Sequence, residues 1–551
     1  MKLNPLTACD FYKVGHREQY PQGTTEVYSN FTPRSDALSK TKDGIVFVGL
    51  SGFIQWFLID CWSNEFFNQR KAQVVQHYKQ LVSNALVLDF DVKHIEALHD
   101  LGYLPIEIMA LPEGSLVPMK VPVFTVRNTH PDFFWLPNYL ETAFSSELWK
   151  ASTTATVARE YKKILLKYAK ETGAPMDFVG WQGHDFSLRG LSGLHDGSAS
   201  AFGHLTSFLG TDTIPAIEYA NNYYDGTCTF VGGSVPASEH SAMSAGGKES
   251  EIETFRRILK TYPTGVVSIV SDTWDYWKVV TEYTKELKDE ILARQPNAIG
   301  LAKTVFRPDS GDPADIICGL EYLDYDALVD EGMDDWDIND KYPKILVFKK
   351  NGKYYNVDPW YERYEGSFQD YTWGEEIPEH LVKGSIELLW EVFGGNYTAE
   401  GYKMLDSHVG LIYGDSITLE RAEDILRRLK AKGFASSNVV FGIGSYTYQY
   451  CTRDTYGFAM KATAAVINGE EVFLSKDPKT DKGTKKSATG RLGVALSGDK
   501  FQLIDGLNKE QLESFQGNQM RTVFINGVHV NKPTLEQIRG RVDLGIYNGL
   551  L

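Results

Sequence analysis

Cysteine is scarce in this chain: Cys9, Cys61, Cys228, Cys318 and Cys451 are the only ones in 551 residues, odd in number and far apart. That excludes a disulfide framework and leaves no Cys-x-x-Cys pair for a metal, so a reducing, cytoplasmic compartment is expected. Positive charge is in deficit, with 56 Lys and Arg against 72 Asp and Glu and a net charge of −16. Coating nucleic acid or an anionic membrane requires a net basic surface, so neither is an expected partner. A locally basic site inside an acidic shell is still allowed. Long hydrophobic runs are missing as well. The longest, Ile45 to Ile59, is broken by Gly49, Ser51, Gly52 and Gln55. It falls short of the roughly 20 residues of a membrane span and is read as buried core. The N-terminus lacks the basic start and apolar stretch of a secretory signal, because Asp10 and Arg17 come too early. There is no biased tract and no repeat of fixed period, and 42% hydrophobic with 23% charged residues is the composition of a folded globular protein.

Two nucleotide motifs are also absent. No Gly-x-x-x-x-Gly-Lys-Ser/Thr occurs, and Gly442-x-Gly444 has Thr447 where the dinucleotide fingerprint needs its third glycine. What the chain does have, from about residue 175 to 455, is a recurring pattern of short apolar runs ending in Gly, Asp, Ser or Arg. The ends read His184-Asp-Phe-Ser-Leu-Arg189, Gly210-Thr-Asp-Thr213, Ser271-Asp-Thr273, Arg307-Pro-Asp-Ser-Gly311, Gly414-Asp-Ser416 and Gly442-Ile-Gly-Ser445. Six such ends suggest a (β/α) barrel, whose strand termini converge on one face and surround one ligand. The plain alternative for any single cluster is a turn. After Gly414-Asp-Ser416, Thr418 is placed to cap a helix carrying Ala422, Ile425, Leu426 and Leu429, with Gly433 to end it. Asp415 then precedes a helix N-terminus, which suits an anion.

The flanks read differently. Asn468-Gly469 and Asn526-Gly527 lie between β-type runs and predict type I′ hairpins, in a β-rich unit that Val27 to Thr32 is expected to join. The expected division is 1–151 as an N-terminal α+β segment packing with 456–551, and 152–455 as the barrel with an insertion at about 320–400. The insertion holds eight acidic residues and no Lys or Arg between Asp324 and Asp340, then an Asn351-Gly352 hairpin. A calcium loop fails there, because Asp340 occupies the glycine position and Leu346 the twelfth.

For chemistry, Arg189, Arg307, Arg453, Lys461 and the lysine-rich loop Lys476 to Lys486 suit a polyanionic small molecule, though a solvated hairpin tip also explains the loop. Asp272, Asp309 and Asp415 are candidate Mg²⁺ ligands. Phe186 between His184 and Arg189 offers an aromatic face beside a fork donor, or is simply core. His240, in Ser234-Val-Pro-Ala-Ser-Glu-His-Ser241, is a candidate nucleophile or proton carrier raised in basicity by neighbouring carboxylates, or a histidine bonded within a turn.

These residues together resemble the nicotinamide phosphoribosyltransferase family. The resemblance rests on nine blocks in order: Asp10-Phe-Tyr-Lys-Val-x-His16 with Gln19-Tyr-Pro21, His184 to Gly190, Gly210 to Thr213, Ser234 to Ser241, Val270 to Asp272, Arg307 to Gly311, Gly414-Asp415, Thr452 to Asp454 and Lys476 to Pro478. It covers nearly the whole chain outside 320–400. It implies a type II phosphoribosyltransferase: an irregular (β/α) barrel with an added β-rich α+β domain, a homodimer with sites at the subunit interface, Mg²⁺, and ATP as an activating co-substrate that phosphorylates His240. Nicotinamide would lie between Phe186 and Tyr12 of the partner subunit, with Asp212 on its carboxamide and Arg189 nearby. Arg307 and Asp309 would face the ribosyl and phosphate groups, while Ser268, Gly414, Asp415, Gly444 and Ser445 would line the substrate. Arg34, Arg453, Lys461 and Lys485 would bind phosphates. The chain departs from the pattern at Gln182 (often Lys), Ile443 and Ala459 (each Ser), and one extra residue shifts the register of Lys485. A nicotinate enzyme is the neighbouring alternative, disfavoured because Asp212 would repel a carboxylate. A different sugar-phosphate barrel enzyme or a non-catalytic dimer would not require Tyr12 or the ordered blocks.

Overall fold

In the computed structural model, residues 3–225, 230–362, 366–414, 416–475 and 488–550 are described. The chain groups into two units: Met1–Glu160 with Ser187–Gly232 and Tyr448–Leu551, and Tyr161–Phe186 with Gly233–Thr447. Residues 187–232 therefore group with the first unit, although the strand-end rhythm reads them into the barrel.

The first unit is built on a seven-stranded antiparallel sheet in the order Glu470–Phe473, Ala459–Ile467, Thr24–Thr32, Phe124–Asn128, Ile106–Ala110, Arg521–Ile525, Val528–His529. Thr24–Thr32 pairs with Ala459–Ile467 from Thr24↔Ile467 to Thr32↔Ala459, so the two ends of the chain form neighbouring strands. Both predicted hairpins close as expected, because Asn468 (φ 53°) with Gly469 (φ 82°) and Asn526 (φ 51°) with Gly527 (φ 81°) adopt the left-handed pair of a type I′ turn. The run from Ile45 is core as read: Ile45, Phe47, Leu50, Phe53, Ile54, Phe57 and Leu58 are buried, and the Phe31 ring stacks on Phe124 and Phe458 at 5.1 and 5.4 Å.

The second unit is a curled half-barrel of parallel strands, in the order Gly183–Asp185, Val439–Ile443, Val409–Tyr413, Thr304–Arg307, Val267–Val270. Strands covered on both faces are buried along their length, as is every residue of Val267–Val270 and Val409–Tyr413. Helix Leu419–Ala431 forms as its sequence predicts. The Thr418 side chain accepts the Arg421 N–H at 3.2 Å, and Ala422, Ile425, Leu426 and Leu429 face inward.

The acidic excursion leaves after Gly319 and returns at Leu381, whose carbonyl accepts the Leu320 N–H at 2.8 Å. Gly319 (φ 81°) and Gly384 (φ 74°) meet back to back, and a Cβ on Gly384 would lie 2.1 Å from Gly319 N. Inside the excursion, helices Tyr325–Asp330 and Asp335–Lys341 cover a four-stranded sheet over a core of Ile338, Phe348, Val357, Phe368 and Tyr371. The stretch that fails as a calcium loop begins with that second helix, which an Asp334–Asp337 capping box opens. Among the described residues no helix is long and apolar enough to cross a membrane, and Cys9, Cys61, Cys318 and Cys451 are free thiols.

Candidate active site

At the carboxyl ends of the half-barrel strands, Arg307 closes Thr304–Arg307, and Asp272 and Asp309 each stand two residues beyond a strand end. Paired register makes these loops share bonds: Ser271 N donates to Arg307 O at 3.0 Å, and Asp309 N donates to Asp272 Oδ2 at 2.9 Å. Ser310 Oγ donates to the same carboxylate oxygen at 2.6 Å. Asp272 Oδ1 is buried with no hydrogen-bond partner, and the Asp272 side chain is only 5% exposed. A buried carboxylate oxygen left unpaired is costly unless a cation or donor meets it.

His240 stands over this pair. Its Nε2 lies 3.9 Å from both Asp272 Oδ1 and Asp309 Oδ2, and its Nδ1 lies 3.3 Å from Thr273 Oγ1. The carboxylates beside the imidazole are therefore not its sequence neighbour. Glu239 Oε1 instead accepts the Ser241 hydroxyl. Arg307 Nη2 donates to Ser238 O at 3.0 Å and lies 3.8 Å from Asp309 Oδ2. Ser268, on strand Val267–Val270, is buried with its Oγ unpartnered, while Ser238 N donates to Ser268 O at 2.9 Å.

Phe186 lies beside a floor of glycines. Its N–H donates to Ile443 O at 3.0 Å, and its ring packs on His184 at 4.8 Å. A Cβ on Gly442 would come within 2.6 Å of both the Phe186 ring and Gly414 Cα, and one on Gly414 within 2.9 Å of Asp309 Oδ1. Only glycine allows the ring, the floor and the acid to approach this closely. Gly444 borders open space, and Ser445 begins the short helix Ser445–Tyr448.

The other predicted residues that are described belong to the first unit. Tyr12 is 59% exposed and meets His16 edge-on at 5.1 Å. Arg189 and Asp212 are exposed. Arg34 is exposed, with Nε donating to Gly457 O at 2.8 Å, next to the turn Arg453–Thr455. Lys461 is exposed on its strand opposite Asn30. Asp415 and Lys485, with the rest of 476–487, lie outside the described residues, and among the described residues no group of three His, Cys, Asp or Glu is arranged for a metal.

Serines and threonines escape the sequence reading. Ser238, Ser271, Thr273 and Ser310 orient Arg307, His240 and Asp272. All sit inside the motifs already noted, where hydroxyls read as turn formers. Two departures from the motif prove structural: Gln182 Nε2 donates to Ser436 O and Val439 O at 2.8 and 3.1 Å, and Ile443 is buried strand.

A parallel half-barrel that gathers this acid, imidazole and guanidinium set at its strand ends narrows the class, and the family follows from comparison. Residues 181–528 match the model of the nicotinate phosphoribosyltransferase family, so the chain belongs to that family. Residues 4–108 match the N-terminal domain of nicotinamide phosphoribosyltransferase. The chain is 54% identical over 547 residues to the nicotinamide phosphoribosyltransferase of Acinetobacter baylyi, covering 98% of this chain and 97% of that one. It is 32% identical over 520 residues to that of Mycoplasma pneumoniae, covering 89% and 95%. The fold matches nicotinate-nucleotide pyrophosphorylase from Pyrococcus furiosus (TM-score 0.52, 14% identity, covering 100% and 97%). It also matches human nicotinic acid phosphoribosyltransferase (TM-score 0.51, 15% identity, covering 97% and 93%).

Proposed function

We propose that this protein is a nicotinamide phosphoribosyltransferase of NAD salvage, acting in the cytoplasm as a homodimer. In the reaction the bond from C1 of 5-phosphoribosyl 1-pyrophosphate to the pyrophosphate oxygen breaks. The nicotinamide ring nitrogen forms the new bond to C1, and pyrophosphate leaves with the electron pair. The observation that carries the reading is the near-full-length 54% identity to a nicotinamide enzyme, joined to the glycine floor beneath Phe186.

The oxocarbenium-like transition state asks the protein to hold the nucleophile in line and to neutralise the leaving group. Phe186 would bind one face of the pyridine ring, with Tyr12 of the partner subunit on the other. Asp212 would accept from the carboxamide NH₂, with Arg189 beside the ring. Arg307 would meet the phosphates. Ser268, Gly414, Asp415, Gly444 and Ser445 would border the ribose phosphate, and Arg34, Arg453, Lys461 and Lys485 would bind phosphate oxygens. The unpaired, buried Asp272 Oδ1 beside Asp309 fits Mg²⁺, which takes one or two carboxylates and keeps water and phosphate as its other ligands; Asp415 is the third candidate. When bound, that ion offsets charge on the departing pyrophosphate.

Thr273 holds Nδ1 of His240 and turns Nε2 towards the two acids. In the ATP-stimulated cycle the imidazole would take the γ-phosphoryl group, releasing ADP and placing new negative charge beside Asp272 and Asp309.

The test is turnover of purified protein with phosphoribosyl pyrophosphate, Mg²⁺ and, in separate reactions, nicotinamide, nicotinate or quinolinate, with and without ATP. Nicotinamide mononucleotide and pyrophosphate should form in equal amounts and faster with ATP. His240→Ala should lose only the ATP effect. No turnover of nicotinamide would overturn the reading. Preference for nicotinate would support the second reading, a nicotinate enzyme, which the exposure of Asp212 in the single chain leaves chemically open.

A further inference from the structure

The first unit contains a cavity of about 400 Å³ that shares no residue with the site proposed above. Two elements build it. Helix Leu535–Leu550 contributes Gln537 and Arg541, four residues apart on one face, and strand Arg521–Ile525 contributes Arg521 and Val523, two apart. Leu50, Ile54 and Leu111 add apolar wall.

Several features hold this geometry. Gly114 (φ 91°) brings its loop against the helix so closely that a Cβ would lie 2.6 Å from Ile538 O. Arg541 Nη1 donates to Glu113 O at 2.8 Å, and Gln537 Oε1 accepts the Thr534 N–H at 3.2 Å in the first turn. His529 Nε2 meets Ser51 Oγ at 3.1 Å, joining the hairpin to the far wall.

The charge balance is one-sided. The one acid in the wall, Glu113, is fully committed: its carboxylate accepts N–H bonds from Gly49 and Ser51 at 2.7 Å each and the Tyr224 hydroxyl at 3.0 Å. Among the described residues neither Arg521 nor Arg541 has a carboxylate within 4.0 Å, and their only hydrogen bonds go to backbone carbonyls. Arg541 is partly desolvated, which holds its guanidinium below its ordinary range, and His529 is kept neutral by burial. The Glu113 carboxylate acts on Arg541 through space only, so two guanidiniums with no carboxylate in contact line a cavity that also has an apolar wall, which matches a small anion carrying an apolar body.

We propose that this cavity is a second small-molecule site, taking an aromatic carboxylate or phosphate monoester whose anionic group is held by Arg521 and Arg541 and whose ring lies on Leu50, Ile54, Leu111 and Val523. The test is calorimetric titration of the full chain with phenyl phosphate, benzoate and inorganic phosphate, repeated on Arg521→Gln and Arg541→Gln. At least one aromatic anion should bind at one site per chain, and each variant should weaken it about tenfold or more. Inorganic phosphate should bind far less tightly, because it has nothing to lay on the wall.

Phenyl phosphate alone would identify a phosphate ester as the ligand class, and benzoate alone a carboxylate. Arg541→Gln removes a bond to Glu113 O and could perturb folding; Arg521 bonds only within its own turn, so Arg521→Gln keeps the test decisive. Three results would overturn the assignment: no aromatic anion binds, inorganic phosphate binds as tightly as phenyl phosphate, or Arg521→Gln binds unchanged.

Discussion

At the residue scale, Asp212 is the position proposed to distinguish the two candidate substrates. A carboxylate accepts from a carboxamide NH₂ and repels a second carboxylate, so in the proposed role Asp212 would favour nicotinamide over nicotinate. Asp212→Asn should reduce the ratio of kcat/KM for nicotinamide over nicotinate by about tenfold or more. Unchanged relative efficiencies would remove Asp212 from that role. Glu113 and His94 contribute to the pH response of stability with opposite signs. Burial raises the Glu113 carboxyl to about 7 from an ordinary 4.5, so the stability it contributes is full below pH 4.5 and lost as pH rises through 7. Burial lowers His94 to about 4 from 6.5, so its contribution is full above 6.5 and lost as pH falls through 4. Urea midpoints from pH 4.5 to 7.5 should show Glu113→Gln losing an alkaline-side decline of about 3 kcal/mol. A parallel shift at every pH would mean that Glu113 does not titrate in this window.

At the scale of elements, the half-barrel gathers its polar residues at its strand ends. Strands Val409–Tyr413 and Val439–Ile443 are parallel neighbours, which sets Gly414 against Gly442 and both against the Phe186 ring. Gly442→Ala would drive a methyl into that ring and should raise the nicotinamide KM about tenfold through a displacement costing about 1–3 kcal/mol. An unaltered KM would show that the ring does not rest on this floor in the complex. The acidic excursion behaves as an element of its own, with a separate core and ends joined by the Leu320–Leu381 bond. Replacing residues 322–379 by a short Gly-Ser turn should leave a folded protein that still turns over nicotinamide, because loop closure across so short a gap costs little. Unfolding on deletion would show that the half-barrel depends on it.

At the scale of the whole molecule, the site is expected to need two chains. If Tyr12 serves the partner's ring site, Tyr12→Ala and Asp309→Asn chains are each inactive alone. After random exchange, half the dimers are mixed and each mixed dimer holds one intact site. Mixed samples should then recover about a quarter of wild-type turnover. No recovery, with exchange verified by mass, would place Tyr12 and Asp309 in the same chain's site.

Much of this was legible in local pattern. The three Asn-Gly hairpins, the helix capped by Thr418 and the buried run from Ile45 follow from φ preferences, side-chain caps and apolar spacing, all of which act over a few residues. The ordered blocks likewise named His240, Asp272, Arg307 and Asp309, which the structure brings together, because a motif is itself a local string. Other features depend on which distant residues meet. Glu239 is the sequence neighbour of His240, but pairing of Val267–Val270 with Thr304–Arg307 brings Asp272 and Asp309 to the imidazole instead. The cavity of Arg521 and Arg541 has no motif, since residues more than 400 positions apart form its walls. Short-range conformational preference is carried by the chain itself, whereas burial, charge pairing and cavities arise only when the packed chain sets remote side chains against one another.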